Sequence, residues 1–174
     1  MRERYVHGYN DRENSRLHDQ ASTLADLLHA DTRYPAKSRI LEAGCGAGAQ
    51  TVTLTRNNPD ALFVSIDISA VSLAEARTRL KAADRPGVAL AQADIANLPF
   101  NHGSFDHVFL CFVLEHLQEP VAILKILKSL LKPGGTITVI EGDHGSTYFY
   151  PDSAAAHAAI SCQEIRLTGY PICF

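Results

Sequence analysis

Apolar positions in this chain follow two rhythms. Between Asp11 and Leu28, Leu17, Ala21, Leu24 and Leu28 recur at steps of four, three and four. Arg12, Glu13, Arg16 and Asp19 fall off that stripe, so the segment predicts an amphipathic helix, closed by Pro35. From Arg39 onward, short β-forming runs alternate with helical segments. Ile40-Leu41 is the first run and ends at Glu42, followed by a helix over Thr51 to Arg56 that stops before Pro59. Leu62 to Ile66 is a second strand ending at Asp67, and Ser69 is a suitable N-cap for a helix from Ala70 to about Ala83. The inward face of that helix carries Leu73, Ala76 and Leu80.

Val88 to Ala91 predicts a third strand, ending before Asp94. After the turn signal Asn101-His102-Gly103, Phe105 to Leu110 predicts a fourth. Pro120 suits the first turn of a helix whose apolar face includes Ile123, Leu124, Leu127 and Leu130. Lys125, Lys128 and Lys132 are read as lying in its C-terminal half, with Pro133-Gly134-Gly135 as its stop. Thr136 to Ile140 is the fifth strand, and Ser153 to Cys162 reads as an alanine-rich helix. Right-handed crossovers turn this β-α-β alternation into a parallel sheet with helices on both faces.

In such sheets, ligands bind beyond the carboxyl ends of the strands, so the residues there are the informative ones. The first strand runs into Glu42-Ala43-Gly44-Cys45-Gly46-Ala47-Gly48, a glycine loop opening a helix. Asp67 ends the second strand 21 residues after Gly46, a spacing that suits hydrogen bonds from ribose hydroxyls. Asp94 follows the third strand, where a carboxylate can meet an adenine amino group while Ile95 or Ile68 packs on the ring. Gly44, Gly46 and Ala49 also satisfy the looser G-x-G-x-x-A form of a nicotinamide dinucleotide site. Against that stand Glu42, Asp94 and the lack of Lys or Arg from Gly44 to Thr55, because an acidic cleft suits a cationic ligand better than a pyrophosphate.

Taken together, Ile40 to Gly48, Asp67, Ala93-Asp94-Ile95, Phe105-Asp106-His107-Val108 and Leu131 to Gly135 resemble the ordered motifs of class I S-adenosylmethionine-dependent methyltransferases. The resemblance implies an α/β fold, a Rossmann-like three-layer sandwich with a mainly parallel sheet. It implies S-adenosylmethionine as cofactor, with Glu42, Ala43, Gly44, Cys45, Gly46 and Gly48 at its methionyl part and Asp67 at the ribose. Asp94, Ile95 and Ile68 are expected at the adenine, and Cys111, Phe112 and Val113 beside the sulfonium. The expected activity is methyl transfer to a small-molecule acceptor. A cofactor-binding scaffold without catalysis and an NAD-dependent oxidoreductase are the alternatives.

Methyl transfer needs a base only when the acceptor must lose a proton. Glu115, His116, Glu141, Asp143 and His144 are candidates, and His144, flanked by Gly142 and Gly145, is the one chosen as catalytic. The aromatic cluster Tyr148-Phe149-Tyr150 either walls an acceptor pocket or packs a loop. The expected organisation is an N-terminal helical cap over residues 1–38, the cofactor-binding core over 39–145, and an aromatic loop, helix and tail over 146–174. The family core has seven strands and only five are found here, so the last strands are expected to be missing. An exposed sheet edge then favours a homodimer.

Charge and cysteines narrow the picture further. A formal net charge of -3 argues against a nucleic-acid partner. The sequence has no apolar stretch of membrane-spanning length, so no membrane partner is expected. Cys45, Cys111, Cys162 and Cys173 form no CxxC pair and show no zinc spacing with histidine. No metal is expected, and unpaired thiols fit a cytoplasmic location.

Overall fold

Between Arg39 and Ile140, strands and helices follow one another as the periodicity predicts. They are β1 (Arg39–Ala43), α1 (Ala49–Asn57), β2 (Leu62–Asp67), α2 (Ala70–Ala82), β3 (Ala89–Gln92), β4 (Phe105–Cys111), α3 (Pro120–Ser129) and β5 (Leu131–Ile140). The computed structural model describes residues 25, 27–85, 87–142 and 151–159. The strands form one sheet in the order β3-β2-β1-β4-β5, with every neighbouring pair parallel. The order reverses between β1 and β4, which makes the carboxyl ends of those two strands the topological switch point.

Period-two alternation sends the strand side chains to two opposite faces. On one face Leu41, Ala43, Ile66, Val108 and Leu110 pack with Ile123, Leu127 and Leu130 of the α3 segment. On the other, Ile40, Phe63 and Phe109 pack with Leu54 of α1. Residues 93–104 contain neither helix nor strand, yet Ala93, Ile95, Leu98 and Phe100 seal the first face. Ser69 caps α2 as expected, its hydroxyl accepting the Ser72 N–H at 3.2 Å, and Leu73, Ala76 and Leu80 are buried.

The end of α3 departs from the sequence reading. The helix stops at Ser129, so Lys132 is not helical, and β5 begins at Leu131 rather than Thr136. The Phe105 N–H donates to the Leu130 carbonyl at 3.0 Å and draws the chain into the sheet one turn early. Pro133 has no N–H to donate, so Pro133-Gly134-Gly135 forms an irregularity inside the strand. Phe105 pairs with Leu131 but His107 pairs with Thr136. Lys132 lies opposite Asp106, with Nζ to Oδ1 at 2.7 Å.

After β4 the chain makes a 3-10 turn, Leu114–His116. Of the predicted N-terminal helix, residues 25, 27 and 28 are described and are helical. Met1–Ile140 and Glu141–Phe174 are two compact units. In the second, residues 154–159 are helical and Ser153 accepts the Ala156 N–H at 3.2 Å. His144, Asp143, the aromatic cluster 148–150 and the tail beyond residue 159 lie outside the described residues. Among the described residues, no helix is long and apolar enough to cross a membrane.

Candidate functional site

The glycine loop joins β1 to α1 at the switch point. Gly44, Gly46 and Gly48 all have positive φ, at 79°, 51° and 77°. Two of them are required by close packing. A Cβ on Gly44 would lie 2.6 Å from Val113 Cγ2, and one on Gly48 would lie 3.0 Å from Ala76 Cβ. Gly44 therefore lets the chain after β4 close onto the loop, and Gly48 lets α2 approach it. Gly46 differs, because among the described residues nothing lies within 4 Å of the place its Cβ would occupy. Its backbone is open to an incoming group.

Asp67 holds this loop. Its Oδ2 accepts the Gly46 N–H and its Oδ1 accepts the Ser69 N–H, each at 2.8 Å. The Ile66 carbonyl also accepts the N–H groups of Gly44 and Cys45, each at 2.9 Å. Each carboxylate oxygen accepts more than one donor, so Asp67 retains capacity for hydroxyl donors. β3 is tied to the same end of the sheet. The Ala93 N–H donates to the Asp67 carbonyl at 3.0 Å, and Gln92 Nε2 donates to the Ile68 carbonyl at 2.9 Å. Asp67, Ile68, Asp94 and Ile95 are thus brought to one sheet end. Asp94 is exposed and turns its own loop, accepting the Ala96 N–H at 2.8 Å, while Ile68 remains 53% exposed.

Glu42 is buried at the end of β1 and accepts the Ser65 hydroxyl at 2.6 Å. Burial raises its pKa to about 7. The nearby Ser65 and Thr51 hydroxyls oppose that rise, and the charge on Asp67 adds to it. Burial likewise pushes the Cys45 thiol well up, so it packs as a small hydrophobe, as its sequence setting suggests.

On the β4 side, the chain leaves the sheet through Cys111, Phe112 and Val113. Phe112 has φ 57° and donates its N–H to the Ile140 carbonyl at 2.8 Å. Beyond it, Glu115 Oε1 lies 3.5 Å from His116 Nε2.

Three features escaped sequence reading. Ser65, the partner of Glu42, looks like an ordinary strand residue. His29 is buried beside α1, its Nε2 2.6 Å from Gln50 Oε1 and its Nδ1 3.0 Å from Thr32 Oγ1. The left-handed backbone of Phe112 has no sequence signal, since glycine and asparagine usually mark that conformation.

Two hollows lie elsewhere. One of about 140 Å³ is lined by His29, Arg33 and Arg56 among others. The other, about 290 Å³, sits at the amino ends of β2 and β3, against Leu62, Asp84 and Arg85. Neither includes the glycine loop. Among the described residues, no three His, Cys, Asp or Glu side chains are grouped to hold a metal ion.

Comparison with known proteins agrees with this geometry. A family profile described as a methyltransferase domain matches residues 41–139, more than half of the chain. The chain is 39% identical over 121 residues to trans-aconitate 2-methyltransferase of Methylobacterium nodulans, covering 70% of this chain and 44% of that protein. It is 30% identical over 164 residues to 27-O-demethylrifamycin SV methyltransferase of Amycolatopsis mediterranei, covering 94% and 57% respectively. The crystal structure of the trans-methyltransferase CalH in complex with SAH is similar, with a TM-score of 0.61 and 29% identity over 75% of this chain and 40% of that one. The chain thus spans about half the length of the curated relatives it matches. With its five-stranded parallel sheet and glycine loop in place, this chain belongs to the methyltransferase-domain family.

Proposed function

We propose that this chain binds S-adenosylmethionine at the carboxyl ends of β1, β2 and β4 and transfers its methyl group to a small-molecule acceptor. The observation that carries this reading is the open backbone at Gly46, held to β2 by Asp67 beside the buried Glu42. The open space over Gly46 fits a ligand that approaches main chain closely. The acids Glu42, Asp67 and Asp94 suit one that carries positive charge, and no Lys or Arg between Gly44 and Thr55 competes.

In this reading Glu42, Ala43, Gly44, Cys45, Gly46 and Gly48 hold the methionyl part, and Asp67 receives ribose hydroxyls. Asp94, Ile68 and Ile95 hold the adenine, while Cys111, Phe112 and Val113 line the reacting side. The cofactor supplies an electrophilic methyl group with a good leaving group already attached. What remains for the protein is to orient the partners and exclude water, which positioning on rigid strand ends does well. Residues 39–145 form the cofactor-binding core, with 1–38 and 146–174 flanking it. The relatives named for trans-aconitate and 27-O-demethylrifamycin SV support an acceptor of low molecular weight.

Calorimetry with S-adenosylmethionine, its demethylated product and NAD tests the binding half. Micromolar affinity for the first two and none for NAD is expected, and the reverse order overturns the reading. A labelled-methyl assay over small carboxylic acids and phenols tests transfer.

A further inference from the structure

Thr51 is fully buried in the first turn of α1, and its hydroxyl has no hydrogen-bond partner among the described residues. A threonine in a helix commonly gives its hydroxyl to a carbonyl three or four residues earlier. Thr55 on the same helix does so, donating to the Thr51 carbonyl at 2.8 Å, and Thr78 on α2 donates to the Ala74 carbonyl at 3.1 Å. A buried hydroxyl without a partner costs stability that a valine of the same shape would not. Thr51 therefore carries a donor that the protein's own contacts do not use.

The group beside it is the buried carboxyl of Glu42. The Thr51 hydroxyl acts on that carboxyl in the same sense as the Ser65 hydroxyl, against the effect of burial. Ser65, from β2, already donates to Oε2 at 2.6 Å. Asp67 of β2, Cys45 of the loop and Tyr34 before β1 also face Glu42, and none of them brings a positive charge. Burial keeps the carboxyl neutral up to about pH 7. A neutral acid donates one hydrogen bond itself, whereas a carboxylate only accepts and needs donors at both oxygens. Ser65 alone thus serves the neutral form, and a second donor is called for when the proton leaves to solvent. A cation held at the glycine loop drives that loss, because it favours the charged carboxylate.

We propose that Thr51 is a positioning residue for the ligand's positive charge: its hydroxyl turns to donate to Glu42 when a cation docks at the glycine loop, so that Thr51 and Ser65 together hold the carboxylate form. This rests on the S-adenosylmethionine reading above and names a determinant within it. Thr51 touches no ligand and acts through Glu42. The unused hydroxyl then has a purpose, because it is reserved for the charged state of its neighbour.

The test is calorimetric affinity of the full chain for S-adenosylmethionine as a function of pH, in the native protein and two variants. Native affinity is expected to rise with pH as Glu42 gives up its proton more easily. Thr51→Val keeps the shape and removes the hydroxyl, and it is expected to displace that rise upward by about one pH unit. Its affinity then lies about tenfold below the native value near pH 6 and approaches it near pH 9. Thr51→Ser keeps the hydroxyl and is expected to keep the native curve. Near pH 5, without ligand, the melting temperature of Thr51→Val is expected to equal or exceed that of the native chain. Superimposed affinity curves for Thr51→Val and the native chain overturn the proposal. So does a lower melting temperature, or failure to fold, in Thr51→Val near pH 5, since the hydroxyl would then serve the fold itself. If the native chain binds no S-adenosylmethionine at any pH, the cofactor reading fails and takes this proposal with it, a result distinct from binding with superimposed curves.

Discussion

Asp67 Oδ2 accepts the backbone N–H of Gly46 at 2.8 Å, so the last residue of β2 fixes the middle of the loop that follows β1. The same carboxylate fixes the turn into α2 through the Ser69 N–H. An acid at this position shapes the loop before any ligand arrives. Under the proposed function, holding ribose is added to this structural role.

Replacing Asp67 with alanine removes both bonds. Hydrogen bonds to charged groups contribute about 1.5–3 kcal/mol each, less where water can substitute. Asp67 is half-buried, so urea denaturation is expected to show a loss of about 2 kcal/mol in total. Affinity for S-adenosylmethionine is expected to fall by more than about tenfold. Asp67→Asn should recover part of the stability, because its carbonyl oxygen can still accept one N–H. Equal stability of the alanine variant and the native chain would show that the loop holds itself.

The three loop glycines should separate by what they meet. In Gly44→Ala the new methyl group would lie 2.6 Å from Val113 Cγ2, at φ 79°. Left-handed strain and overpacking together should cost about 2–4 kcal/mol. Adding Val113→Ala removes the clash but not the strain, so the double mutant should show a coupling of about 1 kcal/mol or more in a denaturation cycle. Gly46→Ala has strain but no clash. It should destabilise by only about 1–2 kcal/mol and weaken cofactor binding disproportionately, because its methyl group enters the open space. Similar losses of binding in all three single variants would argue against a ligand over Gly46.

What could be read from the chain follows from how far each interaction reaches. The strands were legible because Ile40 and Leu41, or Val108 and Phe109, serve opposite faces, and a buried parallel sheet writes that as short apolar runs. The Ser69 cap lies three residues from its donor and is a local signal. The place of Glu42 just before the glycines is legible in the sequence, but its partner Ser65 is 23 residues away on another strand. The start of β5 was misread because Pro-Gly-Gly ordinarily punctuates. Here the strand absorbs it as an irregularity, and Lys132 pairs with Asp106 across it. His29 and Gln50 meet across 21 residues, and only the fold brings them together.

His29 should make the protein sensitive to acid. Its ring is buried and stacks on Phe109 with centroids 5.7 Å apart. Burial lowers its pKa below the usual 6.5, the Gln50 hydrogen bond opposes this, and the Arg56 charge assists it. Below pH 6.5 the unfolded chain therefore takes up the proton more readily than the folded one, and stability falls as pH drops through that window. His29→Gln cannot titrate. The stability difference between variant and native chain should shift in favour of the variant between pH 6.5 and 5. A difference that stays constant over that range would show that His29 titrates alike in both states.

Glu42 should act in the opposite direction. Its carboxyl has an ordinary pKa of 4.5 and is held at about 7 in the fold, first by burial. Between those values the folded chain keeps a proton that the unfolded chain has released, so stability falls as pH rises from 4.5 to 7 and changes no further above that. The total is on the order of 3 kcal/mol. Glu42→Gln can still accept the Ser65 hydroxyl and cannot ionise. It should match the native chain near pH 4 and exceed it by that amount at pH 8 in urea denaturation. The same change removes a negative charge from the end of β1, so cofactor binding should weaken at pH 8 even as the chain becomes more stable. A cationic ligand favours the ionised carboxylate, and its binding near pH 7 should release a proton, visible as a buffer-dependent heat. Loss of that heat in Glu42→Gln would connect the buried acid to the ligand's charge. Retention of the full heat would assign the proton to another group.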